Sequence, residues 1–270
     1  MFAKIVIDNN TPCEELCAEW GFSAYIEVGG VKILLDTGAS SAFVKNIDVL
    51  GIKLSEVDFG VLSHAHYDHS DGMDAFFEQN SKAKFYLREG SAEDCYRKGS
   101  HSEKYIGIKE GILDKYADRI EYVSGDFELC KDAWLIPHKT PGLGNIGAHA
   151  HMYRKINGEW VPDDFAHEQS LVIRSEKGLV VFNSCSHGGA GNIIREVGDS
   201  FPGEKIYALV GGLHLFESTE AEVLEVAEII KSLDIQKVVT GHCTGEESFA
   251  ILKAQLGDKL DAFYSGYVLE

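Results

Sequence analysis

Short runs of β-branched and aromatic residues recur along the chain, bounded by glycine and polar residues. They fall at Lys4–Ile7, Ser23–Val28, Val31–Leu35, Asp58–Leu62, Lys84–Leu87 and Ile120–Val123, then at Trp134–Ile136, Ser170–Arg174, Leu179–Phe182, Lys205–Val210 and Lys237–Thr240. Such runs read as strands. The stretch Glu27–Leu35 around Gly29-Gly30 has the composition of a tight hairpin. Helical spacing appears between them. Thr219 with Glu222 forms a capping box ahead of a stripe at Val223, Val226, Ala227, Ile230 and Leu233. Thr244 with Glu247 repeats that signature before Ala250, Ile251 and Ala254, and Ala42–Leu50 and Gly72–Glu78 read as two further helices. Strand alternating with helix argues for sheets with helices packed outside them. Residues 89–118 are polar and weakly periodic, which predicts a helical insertion. Residues 138–168, rich in Gly and His, read as a long loop near a site. No repeat or linker divides residues 1–270, so one domain is expected.

Composition narrows the function classes. Of 270 residues, 44% are hydrophobic and 25% charged, ordinary values for a globular protein. The net charge of -18, from 43 acidic and 25 basic residues, repels polyanions and argues against nucleic acid as a partner. No stretch approaches the run of about 20 apolar residues that spans a bilayer. The apolar part of Met1–Asp8 is too short for a secretory signal. The six cysteines, at 13, 17, 95, 130, 185 and 243, form no CxxC pair. A cytoplasmic protein with reduced thiols, acting on a small molecule and not at a membrane, is the expectation. Cys13 and Cys17 read as ordinary core or helix residues.

The run Ser63-His64-Ala65-His66-Tyr67-Asp68-His69-Ser70-Asp71-Gly72 then changes the picture. His64, His66, Asp68 and His69 are four metal-ligand side chains within six positions, of the nitrogen and oxygen type that suits zinc, iron or manganese. Residues two apart do not face each other on a helix, so His64 and His66 need extended backbone to converge. A strand ending in a loop lets that pair hold one metal while Asp68 and His69 turn to a second. Three more histidines each follow an apolar run and are flanked by glycine: His187 in Ser184-Cys185-Ser186-His187-Gly188-Gly189, His214 in Gly211-Gly212-Leu213-His214, and His242 in Thr240-Gly241-His242. Sites in open α/β sheets gather at the carboxyl ends of strands. His187 and His242 are therefore expected as ligands, and His214 as a proton donor. His138 and His101 read as surface residues, and Asp71 as a helix cap. His149 and His151 lack a following acidic ligand.

The signature His64-x-His66-x-Asp68-His69 resembles the metallo-β-lactamase superfamily. Leu34-Leu35-Asp36-Thr37-Gly38 is similar to a turn those proteins place after an early hairpin, and Thr240-Gly241-His242 to their last metal-binding histidine. The resemblance implies an α/β fold, an αββα four-layer sandwich of two mixed β-sheets with helices on the outer faces. It implies one or two divalent ions as cofactor, zinc first, with manganese or iron as alternatives. Two departures stand out. The turn Thr140-Pro141-Gly142 is followed by Leu143 where a third histidine is usual, and a later strand runs into Ser184 and Cys185 where a bridging Asp is usual. His187 is expected to replace the missing histidine. Cys185 is expected as a soft ligand or supporting group, with His167 and Asp36 as supporting or substrate-facing residues. The Cys185-Ser186-His187 and Gly211-Gly212-Leu213-His214 pair is similar to a branch associated with dihydropterin-ribofuranosylaminobenzene 5′-phosphate synthase.

The chemistry this implies is hydrolysis of a small-molecule ester, phosphorylated or pterin-like, by a metal-bound hydroxide. Asp68 would orient the water and His214 protonate the leaving group. The alternatives are a di-iron oxidoreductase and a metal-retaining binding protein without hydrolytic activity. No P-loop or GxSxG elbow is present.

Overall fold

The computed structural model describes residues 1–269, in which two seven-stranded sheets face each other. One runs, edge to edge, Val268–Leu269, Phe2–Ile7, Ser23–Val28, Val31–Leu35, Phe59–Val61, Lys84–Arg88, Ile120–Val123. The other runs Leu260–Ala262, Lys237–Thr240, Ile206–Val210, Gly178–Phe182, Gln169–Ser175, Ala133–Pro137, Phe127–Cys130. Every apolar run read as a strand falls in one of the two. Alternation decides which side chains meet between them. Ile33 and Leu35 from one sheet, with Leu171, Ile173, Val180 and Phe182 from the other, share the central core.

Their in-between neighbours face outward and are covered by helices. Leu34 and Phe85 pack with Phe43 and Ile47 of helix Ala42–Val49 and with Phe76 of helix Met73–Gln79. Val172 and Val181 pack with Ile193 and Val197 of helix Ala190–Ser200 and with Val223 and Ala227 of helix Glu220–Ser232. The architecture is the αββα sandwich. Both sheets are mixed, and Gly178–Phe182, Ile206–Val210 and Lys237–Thr240 run parallel, so their carboxyl ends share one edge.

The capping box at Thr219 is present, with Thr219 N–H donating to Glu222 Oε2 at 2.7 Å. Thr244 caps nothing. Helix Glu246–Leu256 starts behind Gly245, and Thr244 Oγ1 instead accepts from Leu213 N–H at 3.0 Å. Asp71 is no cap either, since helix Met73–Gln79 starts at Gly72 without a side-chain bond.

The predicted helical insertion is corrected. Residues 89–118 contribute strands Cys95–Lys98 and Glu103–Tyr105, with only Ile112–Lys115 and a 3-10 turn at Ala117–Arg119 helical. The expected loop at 138–168 holds helix Gly144–His149 and strands Met152–Ile156 and Glu159–Pro162. Together these strands make a third, four-stranded sheet. Its pairing, Arg97 opposite Met152 and Tyr96 opposite Tyr153, is long-range and half-exposed, so no local apolar period announces it. No helix among the described residues is long and apolar enough to cross a membrane.

Candidate metal centre

Past strand Phe59–Val61 the chain bends through Ser63–Ala65, with His66 N–H on His64 O at 3.0 Å, is extended again at His66 (φ -107°, ψ 150°), then enters the single helical turn Tyr67–Ser70. That path lets His64 and His66 reach His187 while Asp68 and His69 reach His242. The turn is anchored from outside, with Tyr67 N–H on Ile106 O at 2.9 Å and Asp68 O accepting from Phe22 N–H at 3.1 Å.

Two groups of donor atoms result. His187 Nε2 stands 3.0 Å from His66 Nδ1 and 3.2 Å from His64 Nε2. His69 Nε2 stands 3.3 Å from His242 Nε2, with Asp68 Oδ2 at 3.8 and 3.6 Å from those two nitrogens. Ligands placed tetrahedrally around zinc at about 2.0–2.1 Å stand about 3.3 Å apart. The contacts of His187 to His64 and His66, and that of His69 to His242, are near that spacing, with Asp68 slightly farther out. All six side chains are buried or nearly so.

Hydrogen bonds behind the rings aim the lone pairs inward. Asp36 accepts Ser63 N–H on Oδ1 (2.7 Å), and Ser63 Oγ–H and His69 Nδ1–H on Oδ2 (2.7 and 2.8 Å). Ser63 Oγ, its proton given to Asp36, accepts from His64 Nδ1 at 2.8 Å. Asn9 Oδ1 accepts from His242 Nδ1 at 3.1 Å. Nε2 of His64, His69 and His242 is thus left as a bare lone pair pointed at the site. Burial, then the neighbouring imidazoles, holds His64 well below the ordinary histidine range; burial likewise lowers His66 and His187, and pushes His242 down to about 3. His69 departs from the others: burial would lower it, but Asp68 and then Asp36 outweigh that and raise it. The lone pairs of the neutral rings converge and repel one another unless a cation lies between them, so the donor set fits a divalent metal.

Cys185 lies between the two groups. Its thiol is within 4.8 Å of the donor atoms of His64 and His187, and equally of His69 and His242. It also stands 3.1 Å from Cys243 Sγ and 3.4 Å from His214 Nδ1. The edge is tightly built. Gly212 has no room for a side chain, since a Cβ there would lie 2.4 Å from Cys243 Sγ. Four of the nine non-glycine residues with positive φ among the described residues, Asp36, Ser186, His214 and His242, belong to this site.

The remaining candidates sort by place. His214 flanks the site, its ring 4.2 Å from that of His187. His167 is buried behind it; Nδ1 accepts Ala65 N–H at 3.1 Å and Nε2 donates to Asp163 at 3.0 Å. His101, His149 and His151 are exposed. His138, read as a surface residue, is not one: its side chain is buried between Glu168 and Glu196. Asn9, Ser63, Cys243 and Asp163 were not singled out by the sequence, because each is a single polar residue whose partner lies in another element. Ser63 and Cys243 carried a signal, their places beside His64 and His242.

A cavity of about 280 Å³ opens onto the centre, with Asp68, Cys185 and His214 at its base, Trp20 and Phe216 on its walls, and Arg97 and Lys104 from the third sheet. A second, of about 770 Å³, shares Arg97, His187 and His214.

Known proteins align with this picture. Residues 21–158 match the family model described as the metallo-beta-lactamase superfamily. A 7,8-dihydropterin-6-methyl-4-(beta-D-ribofuranosyl)-aminobenzene-5'-phosphate synthase of Methanocaldococcus jannaschii is 26% identical, over 94% of this chain and 90% of that protein. An uncharacterised protein of the same organism is 29% identical over 98% and 97%. A solved metal-dependent hydrolase of the beta-lactamase superfamily superposes with a TM-score of 0.85, at 29% identity, over 100% of this chain and 98% of that one.

Proposed function

The chain belongs to the metallo-beta-lactamase superfamily, and on that footing we propose that it is a metal-dependent hydrolase of a small phosphorylated or pterin-like ester. The observation that carries this reading is the pair of donor groups: His187 within 3.0 and 3.2 Å of His66 and His64, and His69, His242 and Asp68 within 3.3 to 3.8 Å of one another. Metals bound there supply an activated water near neutral pH and positive charge for a developing oxyanion. Imidazoles with a single carboxylate and a thiolate favour zinc. Asp68 Oδ2 would serve the second metal and orient the water. His214 Nδ1 is engaged with Cys185 Sγ, which leaves Nε2 as the atom that would deliver a proton to the leaving group.

The cavity supports the substrate class. Arg97 and Lys104 are cations at the mouth of a cleft in a protein of net charge -18, and Trp20 and Phe216 provide flat apolar walls. The name of the synthase relative supports a phosphorylated, pterin-linked ligand. Free cysteines throughout and an acidic composition suit a cytoplasmic setting.

A second reading, a metal-retaining binding protein, draws on Cys185, since a thiol there changes the group between the metals. A di-iron oxidoreductase draws less support, with Asp68 the one carboxylate among six donors. Turnover of phosphodiesters, phosphomonoesters and lactones by wild type and His66→Ala tests hydrolysis. Wild-type turnover that the variant abolishes is expected; equal turnover in both would sink the proposal.

A further inference from the structure

Three of the site histidines have a hydrogen bond that fixes the ring from behind: His64 through Ser63, His69 through Asp36 and His242 through Asn9. His66 and His187 have none: His66 Nε2 and His187 Nδ1 are both buried without a partner among the described residues. The His187 ring is held by packing alone, stacked on Phe165 with centroids 5.4 Å apart and 4.2 Å from the ring of His214. The His187 main chain, by contrast, is gripped. Glu168 Oε1 accepts His187 N–H at 3.0 Å and Oε2 accepts Gly188 N–H at 2.9 Å.

Glu168 is 1% exposed, and a lone carboxylate so deep would be costly. His138 answers it. His138 Nε2 donates to Glu168 Oε2, and His138 Nδ1 donates to Glu196 Oε2 at 2.9 Å. Glu196 Oε1 accepts Lys139 and Thr140 N–H, both at 2.8 Å. A carboxylate at each ring nitrogen makes His138 a doubly donating imidazolium. The fit is close: a Cβ on Gly188 would lie 2.3 Å from His138 Cε1.

We propose that His138, bridging Glu196 and Glu168, is a positioning residue that holds the 187–188 main chain and thereby aims His187 at the first metal. The segment His138–Thr140 leads into the Thr140-Pro141-Gly142 turn, which in this chain ends in Leu143 and offers no ligand of its own. It supports a ligand supplied by another loop. The inference rests on the reading of His187 as a ligand.

The test is stepwise zinc affinity, measured on the full chain by competition with a chromophoric chelator, beside the melting temperature of the metal-free protein. Losing a partner that orients a ligand weakens metal binding about 10- to 100-fold. His138→Gln and Glu168→Gln are expected to weaken one zinc equivalent by that factor and leave the other unchanged. Glu196→Gln keeps the His138–Glu168 pair, so it should show a smaller loss at the same step; with Glu168→Gln it carries the test should His138→Gln not fold. Two unchanged steps overturn the proposal. So does equal weakening of both steps alongside a lowered metal-free melting temperature, the mark of a general loosening. His187→Ala separates the premise from the inference: if it retains both equivalents at wild-type affinity, His187 is no ligand and the proposal falls with the premise. If it loses one while His138→Gln and Glu168→Gln lose none, only the proposal falls.

Discussion

His187 Nε2 meets His66 Nδ1 at 3.0 Å across 121 residues of sequence, bringing an end of the second sheet against an end of the first. The central core between the sheets fixes that meeting, since Val61 and Phe182, at the ends of the strands that lead to the two histidines, are packed in the same cluster. Site geometry is therefore a consequence of sandwich packing. Between the two donor groups the packing places the sulfur of Cys185.

Cobalt(II) substituted into the wild-type protein is expected to show an intense near-ultraviolet thiolate band. Cys185→Ser should abolish it, and Cys243→Ser should leave it in place. Cys185 is the thiol within reach of both histidine groups, whereas Cys243 reaches Cys185 and His214. A band that survives in Cys185→Ser would remove this thiol from the metals' surroundings.

Asp36 serves both groups at once, through Ser63 to His64 and directly to His69. Asp36→Asn puts an amide where Oδ2 now accepts two protons, or where Oδ1 accepts Ser63 N–H. Both zinc equivalents should weaken, by about 10- to 100-fold, in chelator competition. Loss confined to one equivalent would show that the Ser63 relay does not matter to His64.

These assignments show what could be read from sequence and what could not. Strands such as Leu179–Phe182 announce themselves because both faces are buried, and the histidine after each apolar run marks a strand end. Asp36 and His167 were legible only as neighbours of motifs. Arg97 and Lys104 were not legible: they face each other in one short polar hairpin, and only the long-range pairing of Arg97 with Met152 joins that hairpin to a second one and makes the third sheet. His138 misled for a related reason. A histidine before Lys139 and Thr140 looks solvated, and only the fold supplies Glu168 and Glu196.

The His138 triad also carries a pH signature in the metal-free protein. Burial opposes charge on His138, but Glu168 and then Glu196 outweigh it and raise its pKa from 6.5 to about 9. Burial would raise Glu196, yet His138 outweighs that and lowers it from 4.5 to about 2. The histidine's contribution to stability is full below pH 6.5 and lost as pH rises through 9; the Glu196 contribution is full above pH 4.5 and lost as pH falls through 2. The melting-temperature deficit of His138→Gln against wild type should accordingly be largest between pH 4.5 and 6.5 and shrink towards pH 9. A deficit that stays flat over that range would mean the ring is neutral in the fold.

Arg97 lines both cavities and is held by Glu217, with Nη2 at 2.8 and 3.0 Å from the two carboxylate oxygens. Both side chains are substantially exposed, so the pair contributes little to stability. Its interest lies in what an anionic substrate would do to it. A phosphate entering the cleft competes with Glu217 for the guanidinium, and a hydrogen bond to a charged group is worth about 1.5–3 kcal/mol. Arg97→Ala should therefore raise KM for a phosphorylated substrate about 10- to 100-fold while kcat changes little. Glu217→Ala, which frees the guanidinium, should lower KM for the same substrate. An uncharged lactone should notice neither change. Steady-state kinetics on the two substrate types makes the comparison, and an equal KM effect on both would mean that Arg97 shapes the cleft without reading charge.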